Sequence, residues 1–209
     1  MLADPEVHPP ADTHNGVLVW RWPSAVAALS SAPVGGGVTH PHWVTNIGVA
    51  SDYCRTDLAD HVDEVAAQRG LVGSGIGLFT AAAVDRVRRA ECHGAAADVT
   101  VGVTKPTWAA DPDDGWNDWR PGTINIVAQI PAALEAGAAV NAVITITEAK
   151  SQALREAGVP GTGTASDAVV VVWAVDGPQE RFGGPRSPWG ARIAQATHAA
   201  VYAGLGAGA

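Results

Sequence analysis

Hydroxyl, amide and carboxylate side chains collect in two short stretches of this chain. Thr123 and Asn125 lie two residues apart in a stretch typical of a β-strand, so their side chains share one face. A loop of small residues then places Thr164, Ser166 and Asp167 just before an apolar strand. Polar groups that crowd against the end of a strand are where α/β sheets place ligands, so this set is a candidate ligand site. An ordinary turn is the alternative interpretation of the loop.

A third group of polar side chains follows the longest predicted helix. Asn141, Thr145, Glu148 and Gln152 are spaced i, i+4, i+7 and i+11, which forms one polar stripe. A solvated helix face would show the same spacing, although such a face usually carries more Lys and Glu. From the spacing alone, the solvated face is the favoured interpretation of the stripe that contains Glu148. Lys150 is two residues further on and points to a different face of the helix.

The elements that must position these groups alternate along the chain. Strands are predicted at 16–22, 25–31, 43–49, 75–81, 98–104, 123–130 and 168–175, and helices at 57–69, 135–157 and 187–203. Asp57 and Ser187 are the expected N-caps of the first and last helices. Residues 82–91 are ambiguous. We expect one layered α/β or α+β domain over 16–205, with a central β-sheet flanked by helices, and a disordered lead-in over 1–15.

Composition narrows the classes of function. The formal net charge of -8 disfavours non-specific binding to nucleic acid or to an anionic membrane. No apolar run reaches the roughly 18 residues that a membrane-spanning helix needs. The only two cysteines, Cys54 and Cys92, occur in unlike contexts, which favours free thiols in a reducing cytoplasm. His40 and His42 lack further ligands at a telling spacing, so no metal is expected.

A tryptophan-rich loop is predicted at 105–121. It contains Trp108, Trp116 and Trp119 among polar residues, which favours a ligand-binding lid. A loop folded over its own aromatic side chains is the alternative.

Three segments together resemble the adenosylcobinamide amidohydrolase family. They are 122–126 (GTINI), 140–150 (VNAVITITEAK) and 161–170 (GTGTASDAVV). Further blocks match in the same order, at 30–33 (SSAP) with the glycines 35–37, at Asn46 and at 77–82 (GLFTAA). The family often has GTGTD or GTTTD in its last block, whereas this chain ends that block with Thr164, Ala165, Ser166 and Asp167. A hydroxyl is thus kept at Ser166.

The resemblance implies hydrolysis of the secondary amide that joins aminopropanol to a side chain of the corrin ring. The adenosylated corrinoid is then the substrate, and no cofactor is expected. Under this hypothesis the catalytic residues are Asn46, Asn125, Glu148, Lys150, Thr164 and Asp167. The substrate-binding residues are Gly36, Trp108, Trp119, Thr123, Asn141 and Ser166. Glu148 would activate water, Asn46 and Asn125 would donate to the oxyanion, and Thr164 or Ser166 is the alternative covalent nucleophile.

Two other functions stay open at this point. One is a corrinoid-binding or carrier protein without catalysis, in which the tryptophan-rich loop closes over the ring. The other is an unrelated small-molecule hydrolase that shares only the fold. We expect a corrinoid small molecule as the partner, neither nucleic acid nor membrane, a cytoplasmic location, and a homo-oligomer as an open option.

Overall fold

The computed structural model describes residues 2–11, 15–112 and 122–206. The strands in these ranges are β1 Glu6–His8, β2 Val17–Arg21, β3 Ala27–Ser30, β4 Gly37–Thr39, β5 Trp43–Gly48, β6 Gly75–Thr80, β7 Arg88–Cys92, β8 Ala95–Gly102, β9 Thr123–Ile130, β10 Ala133–Leu134, β11 Ala168–Trp173 and β12 Gln179–Glu180. The helices are α1 Leu58–Gln68, α2 Ala136–Glu156 and α3 Pro188–Gly204, with a 3-10 turn at Val84–Arg86.

Two large sheets pack face to face. One has the strand order β1-β2-β5-β6 and the other the order β4-β3-β11-β9-β8-β7. Leu18 and Trp20 of the first sheet share a buried apolar cluster with Val170 and Val172 of the second. Burial of such side chains is the main favourable contribution to folding, so this shared cluster holds the sheets together.

Helices cover the outer face of each sheet. Helix α1 packs Val62 and Val65 against the four-stranded sheet. Helices α2 and α3 cover the six-stranded sheet, where Ile146 and Ile193 join the largest apolar cluster. The prediction of a layered α/β domain flanked by helices is confirmed, and the central layer consists of two sheets. No helix in the described ranges is both long and apolar enough to span a membrane.

The valine run of β11 shows why this central strand forms. Val169 and Val171 face the helices, whereas Val170 and Val172 face the other sheet. The strand is parallel to β9, with Ala168 opposite Asn125. Apolar cover on both faces is what the unbroken run predicts, and the structure confirms it.

The start of the chain differs from the prediction. Residues Glu6–His8 form β1, which pairs antiparallel with β2. The backbone of Ala3 exchanges two hydrogen bonds with the side-chain amide of Gln129, each 2.8 Å long. A disordered lead-in is therefore wrong for 2–11, because these residues cover an edge strand and satisfy a buried amide. Residues 1 and 12–14 lie outside the described ranges.

Local signals at the helix ends give two different outcomes. Ser187 caps α3 as predicted, since its Oγ accepts a hydrogen bond from the backbone N–H of Gly190. Asp57 precedes α1 but makes no side-chain cap, because its carboxylate accepts hydrogen bonds from Arg55 instead. The ambiguous stretch 82–91 contains the 3-10 turn and most of β7.

A buried carboxylate joins the two sheets. Asp98 is 1% exposed and accepts hydrogen bonds from Trp20 Nε1 at 2.9 Å and from Gln129 Nε2 at 3.2 Å. Arg89 forms an ion pair with the same carboxylate at 2.8 Å. Burial raises the pKa of Asp98, and Arg89 opposes that shift. Burial of this carboxylate by itself would be unfavourable, and its partners on both sheets offset the desolvation cost.

We expect Asp98→Ala to lower the free energy of unfolding by about 1–3 kcal/mol, because it leaves the buried Trp20 Nε1 without its acceptor and removes the buried counter-charge of Arg89, which keeps Asp4 and Glu91. The measurement is urea unfolding at neutral pH. The matched control is Asp63→Ala on the exposed face of α1, where a change within about 0.5 kcal/mol is expected. Equal effects of the two substitutions would contradict this account.

Candidate functional site

A cavity of about 320 Å³ opens where the two sheets meet. It lies at the carboxyl ends of β5 and β6 and at the amino ends of β9 and β11. The polar side chains that line it belong to Ser51, Tyr53, Arg55, Thr80, Thr123, Asn125 and Ser166. Among the described lining residues there is no Asp, Glu, His or Lys. The cavity therefore offers hydroxyl groups, one amide and one guanidinium.

Separate segments of the sequence meet at this cavity. Pro33 comes from the SSAP block, Phe79 from the GLFTAA block, Thr123 and Asn125 from the GTINI block, and Ser166 from the last block. The strand register explains this arrangement, because parallel pairing of β9 with β11 sets their amino ends side by side. Four stretches that the sequence singled out thus line one cavity.

Two asparagines form a buried pair across the sheets. Asn125 Nδ2 donates to Asn46 Oδ1 and to the backbone oxygen of Phe79, each at 2.9 Å. Asn46 Nδ2 donates in turn to Thr100 Oγ1 at 2.9 Å. The structure brings the two predicted residues together, but both N–H groups of Asn125 already have acceptors. In this arrangement Asn125 has no free donor for an oxyanion, and Asn46 lies behind it.

The carboxylate of Asp167 anchors the loop that follows Gly161. It accepts hydrogen bonds from Ile124 N at 2.9 Å, from Thr164 N at 3.1 Å and from Thr164 Oγ1 at 2.5 Å. Lys150 Nζ completes the set at 2.5 Å, in an ion pair whose side chains are 8% and 11% exposed. With four donors, Asp167 ties the loop to β9 and α2. Asp167, Thr164 and Lys150 are thus brought together behind the cavity and do not line it.

Gly163 leaves the space that this ion pair occupies. A Cβ atom at this position would collide with the carboxylate of Asp167 and with Lys150 Nζ. The loop is further held by Ser151 Oγ, which donates to the backbone oxygen of Thr162 at 3.2 Å. Gly163 is therefore required by close packing against Lys150 of α2.

The hydroxyl groups of Thr123 and Ser166 line the cavity next to this loop. Ser166 Oγ lies 2.8 Å from Thr123 Oγ1 and 3.1 Å from the backbone oxygen of Gly122. Thr164 Oγ1 instead donates behind the cavity, where Asp167 and Gly122 hold it. Of the two hydroxyls predicted as alternative nucleophiles, only Ser166 lines the cavity.

The predicted polar stripe of α2 divides into different environments. Thr145 is buried and donates to the backbone oxygen of Gly183 at 2.9 Å. Gln152 donates to Glu156 at the surface. Asn141 and Glu148 are exposed, and neither lines the cavity. Within the described residues, Glu148 makes no hydrogen bond or ion pair, so its role as general base stays a prediction.

The remaining predicted substrate-binding residues lie outside the cavity. Gly36 is exposed in the turn before β4. Trp108 is 52% exposed and follows Thr107, which pairs with Gly163 through a backbone bridge. Trp119, like Trp116, lies outside the described residues.

Sequence reasoning missed Tyr53 and Arg55 at one wall of the cavity and His61 next to that wall. Tyr53 and Arg55 line it, and the Tyr53 hydroxyl lies 2.8 Å from His61 Nδ1. The Tyr53 ring stacks on Phe79 with centroids 5.8 Å apart. Burial raises the pKa of Tyr53 and lowers the pKa of His61, so both partners favour their neutral forms, and the tautomer of His61 decides which of them donates. One feature of the sequence could have indicated Tyr53. It is one of two tyrosines in the chain, and it lies in the loop before a helix.

The available chemistry follows from these groups. Hydroxyl groups can attack a carbonyl carbon, and a tyrosine–histidine pair can move a proton. Among the described residues, no three His, Cys, Asp or Glu side chains cluster as a metal site would require.

Comparison with known proteins finds one matching family and several similar proteins. A sequence model described as adenosylcobinamide amidohydrolase matches residues 3–208. The adenosylcobinamide amidohydrolase of Halobacterium salinarum is 32% identical over 200 residues, which cover 92% of this chain and 85% of the relative. The protein of that name from Methanosarcina mazei is 28% identical over 186 residues, with 84% and 88% covered. The PH0078 protein from Pyrococcus horikoshii OT3 superposes with a TM-score of 0.49 at 13% identity, covering 91% of this chain and 77% of that one.

We expect Asp167→Asn to lower the free energy of unfolding by about 3 kcal/mol or more, because Lys150 then stays buried without its counter-charge. Glu148→Gln is the matched control, since it also replaces a carboxylate by its amide, and its exposed position predicts a change within about 0.5 kcal/mol. Urea unfolding measures both. Similar stabilities of the two variants would show that Asp167 is not the anchor.

We expect His61 to make stability depend on pH. Its folded-state pKa lies below the ordinary value of 6.5, so the unfolded chain binds a proton first. Its contribution is full above 6.5 and is lost as the pH falls through the folded-state pKa. The fall in Tm from about pH 7.5 to about pH 5.5 should therefore be smaller in His61→Gln than in the wild type. His40→Gln, at an exposed loop position, should keep the wild-type fall, and an unchanged fall in His61→Gln would refute the assignment.

Proposed function

Because this chain belongs to the adenosylcobinamide amidohydrolase family, its reaction is hydrolysis of an amide bond of adenosylcobinamide, and we propose that the cavity at the junction of the two sheets is where it occurs. The bond joins aminopropanol to a side chain of the corrin ring. The products are adenosylcobyric acid and aminopropanol. A cavity of about 320 Å³ takes the amide arm, while the corrin ring stays at its mouth.

The observation that supports this location most directly is the meeting of separate sequence blocks. Phe79, Asn125 and Ser166 belong to three of the stretches that carry the family resemblance, and all three line the cavity. Lys150 and Asp167, from two such stretches, support the loop that presents Ser166. Residues from stretches that are far apart in the chain therefore line or support one cavity.

We favour Ser166 as the nucleophile. Its Oγ would attack the amide carbon, the carbon–nitrogen bond would break, and the hydroxyl proton would leave with aminopropanol. Water would then hydrolyse the resulting ester to the carboxylate and restore the hydroxyl. Tyr53, hydrogen-bonded to His61, is the lining group suited to carry the proton. Water attack directed by Glu148 is the competing route, and the exposed position of Glu148 is the reason that we rank it second.

The adenosylated corrinoid serves as substrate, and we propose that the enzyme needs neither a metal nor an organic cofactor. Side-chain hydroxyls and a proton-carrying pair are sufficient for the two steps above. We further propose a cytoplasmic location, because Cys54 and Cys92 are free thiols. The net charge of -8 supports the absence of a nucleic-acid partner.

We expect Ser166→Ala to lower kcat/KM for adenosylcobinamide by at least about 10³-fold, because the attacking oxygen is removed. Chromatography and mass analysis of the products measure the conversion, with and without a metal chelator. Ser24→Ala, at an exposed serine outside the cavity, is the matched control and should keep wild-type activity. Acid-quenched wild-type enzyme should carry the mass of a bound corrinoid acyl group.

The same assay distinguishes the competing mechanisms and the alternative function as a carrier protein. Loss of activity in Glu148→Gln together with retained activity in Ser166→Ala would favour water attack. Loss of activity with chelator would overturn the metal-free route. Binding of adenosylcobinamide without conversion by the wild type would point to a carrier protein.

A further inference from the structure

One acceptor at the cavity has no partner. Asn125 is 2% exposed and lines the cavity, and its Oδ1 atom forms no hydrogen bond with any described residue. Buried polar atoms in folded proteins are almost always paired, so an unpaired one at a cavity wall calls for a ligand. An amide oxygen accepts hydrogen bonds, which means that the missing partner is an N–H or O–H group.

The orientation of this amide is fixed by its neighbours. The backbone oxygen of Phe79 can only accept, so the atom of Asn125 that faces it must be Nδ2. The second N–H of Asn125 then donates to Asn46, which requires that Asn46 present its oxygen. Asn46 is held in turn by Thr100 on β8. A flipped Asn125 would set oxygen against oxygen at two contacts, so its Oδ1 stays free.

The other polar groups that line this wall differ from Asn125 Oδ1 as hydrogen-bond acceptors. The hydroxyls of Thr123 and Ser166 share a hydrogen bond with each other. Arg55 can only donate, and it is engaged by Asp57 and Glu64. Hydroxyl groups can rotate and either donate or accept, whereas Asn125 Oδ1 can only accept and is held in one orientation, and Asn125 lies on the same face of β9 as Thr123.

We infer that Asn125 Oδ1 accepts the N–H of the substrate's scissile secondary amide, with Asn46 as the positioning residue that fixes its orientation. The inference rests on the proposed function. A secondary amide presents one N–H beside its carbonyl, whereas an ester presents none. Holding that N–H would orient the carbonyl toward the hydroxyl pair of Thr123 and Ser166. The site would thus select secondary amides over esters of the same shape.

The test compares adenosylcobinamide with its ester analogue, in which oxygen replaces the amide N–H. We expect Asn125→Ala to lower kcat/KM for the amide by about 10- to 100-fold and for the ester by less than about threefold, because only the amide loses a hydrogen bond. Gln195→Ala, an exposed amide side chain on α3, should change neither substrate. A thermal unfolding curve checks that Asn125→Ala is folded.

Two outcomes would overturn the inference. Equal losses for amide and ester would assign Asn125 to the oxyanion, since both substrates develop that charge. No loss for either substrate would show that Asn125 Oδ1 does not bind the substrate. A wild type that converts no adenosylcobinamide would instead refute the proposed function, so the two failures are distinguishable.

A second measurement does not depend on the folding of Asn125→Ala. The Ser166→Ala protein is mixed with adenosylcobinamide and with a ketone analogue in which CH2 replaces the amide N–H. We expect the ketone to bind at least about tenfold more weakly, because Asn125 Oδ1 then faces a group that cannot donate. Equal Kd values would overturn the inference.

Discussion

The buried ion pair between Lys150 and Asp167 is the interaction on which the site depends. Two charges at this depth are stable only with good geometry and further hydrogen bonds, and Asp167 has both. Its carboxylate joins α2, the amino end of β9 and the loop before β11. Removal of either charge would free the loop that carries Ser166. Neither Lys150 nor Asp167 lines the cavity, so the pair supports its wall through the position of the loop.

The second constraint is the polar layer between the sheets. Apolar side chains of both sheets pack together, yet Asp98, Asn46 and Asn125 are buried in the same interface. Each of them bonds to a side chain or backbone group from the opposite sheet or a neighbouring strand. Buried polar groups are costly without partners, so the layer favours one alignment of the two sheets. That alignment defines the wall of the cavity.

Much of the fold follows from local patterns. The valine run of β11 and the serine cap of α3 are short-range signals, and both elements form as predicted. The doubling of the sheet and the pairing of β1 could not be read in this way, because strand partners are chosen by contacts between distant segments. At the site, the sequence identified Thr123, Asn125 and Ser166, whereas Tyr53 and His61 carry no motif and were missed.

The sequence by itself determined the family and the reaction, since residue types and their order along the chain carry that information. Only the tertiary structure decided which atoms are free to act. Asn125 and Asn46 are 79 residues apart in sequence, and their contact sets the orientation in which the buried Oδ1 of Asn125 has no hydrogen-bond partner among the described residues. Likewise, packing against Asp167 buries Lys150 while Glu148, on the same helix, stays in solvent. Hydrogen-bond direction and burial depend on neighbours in space, which the order of residues does not specify.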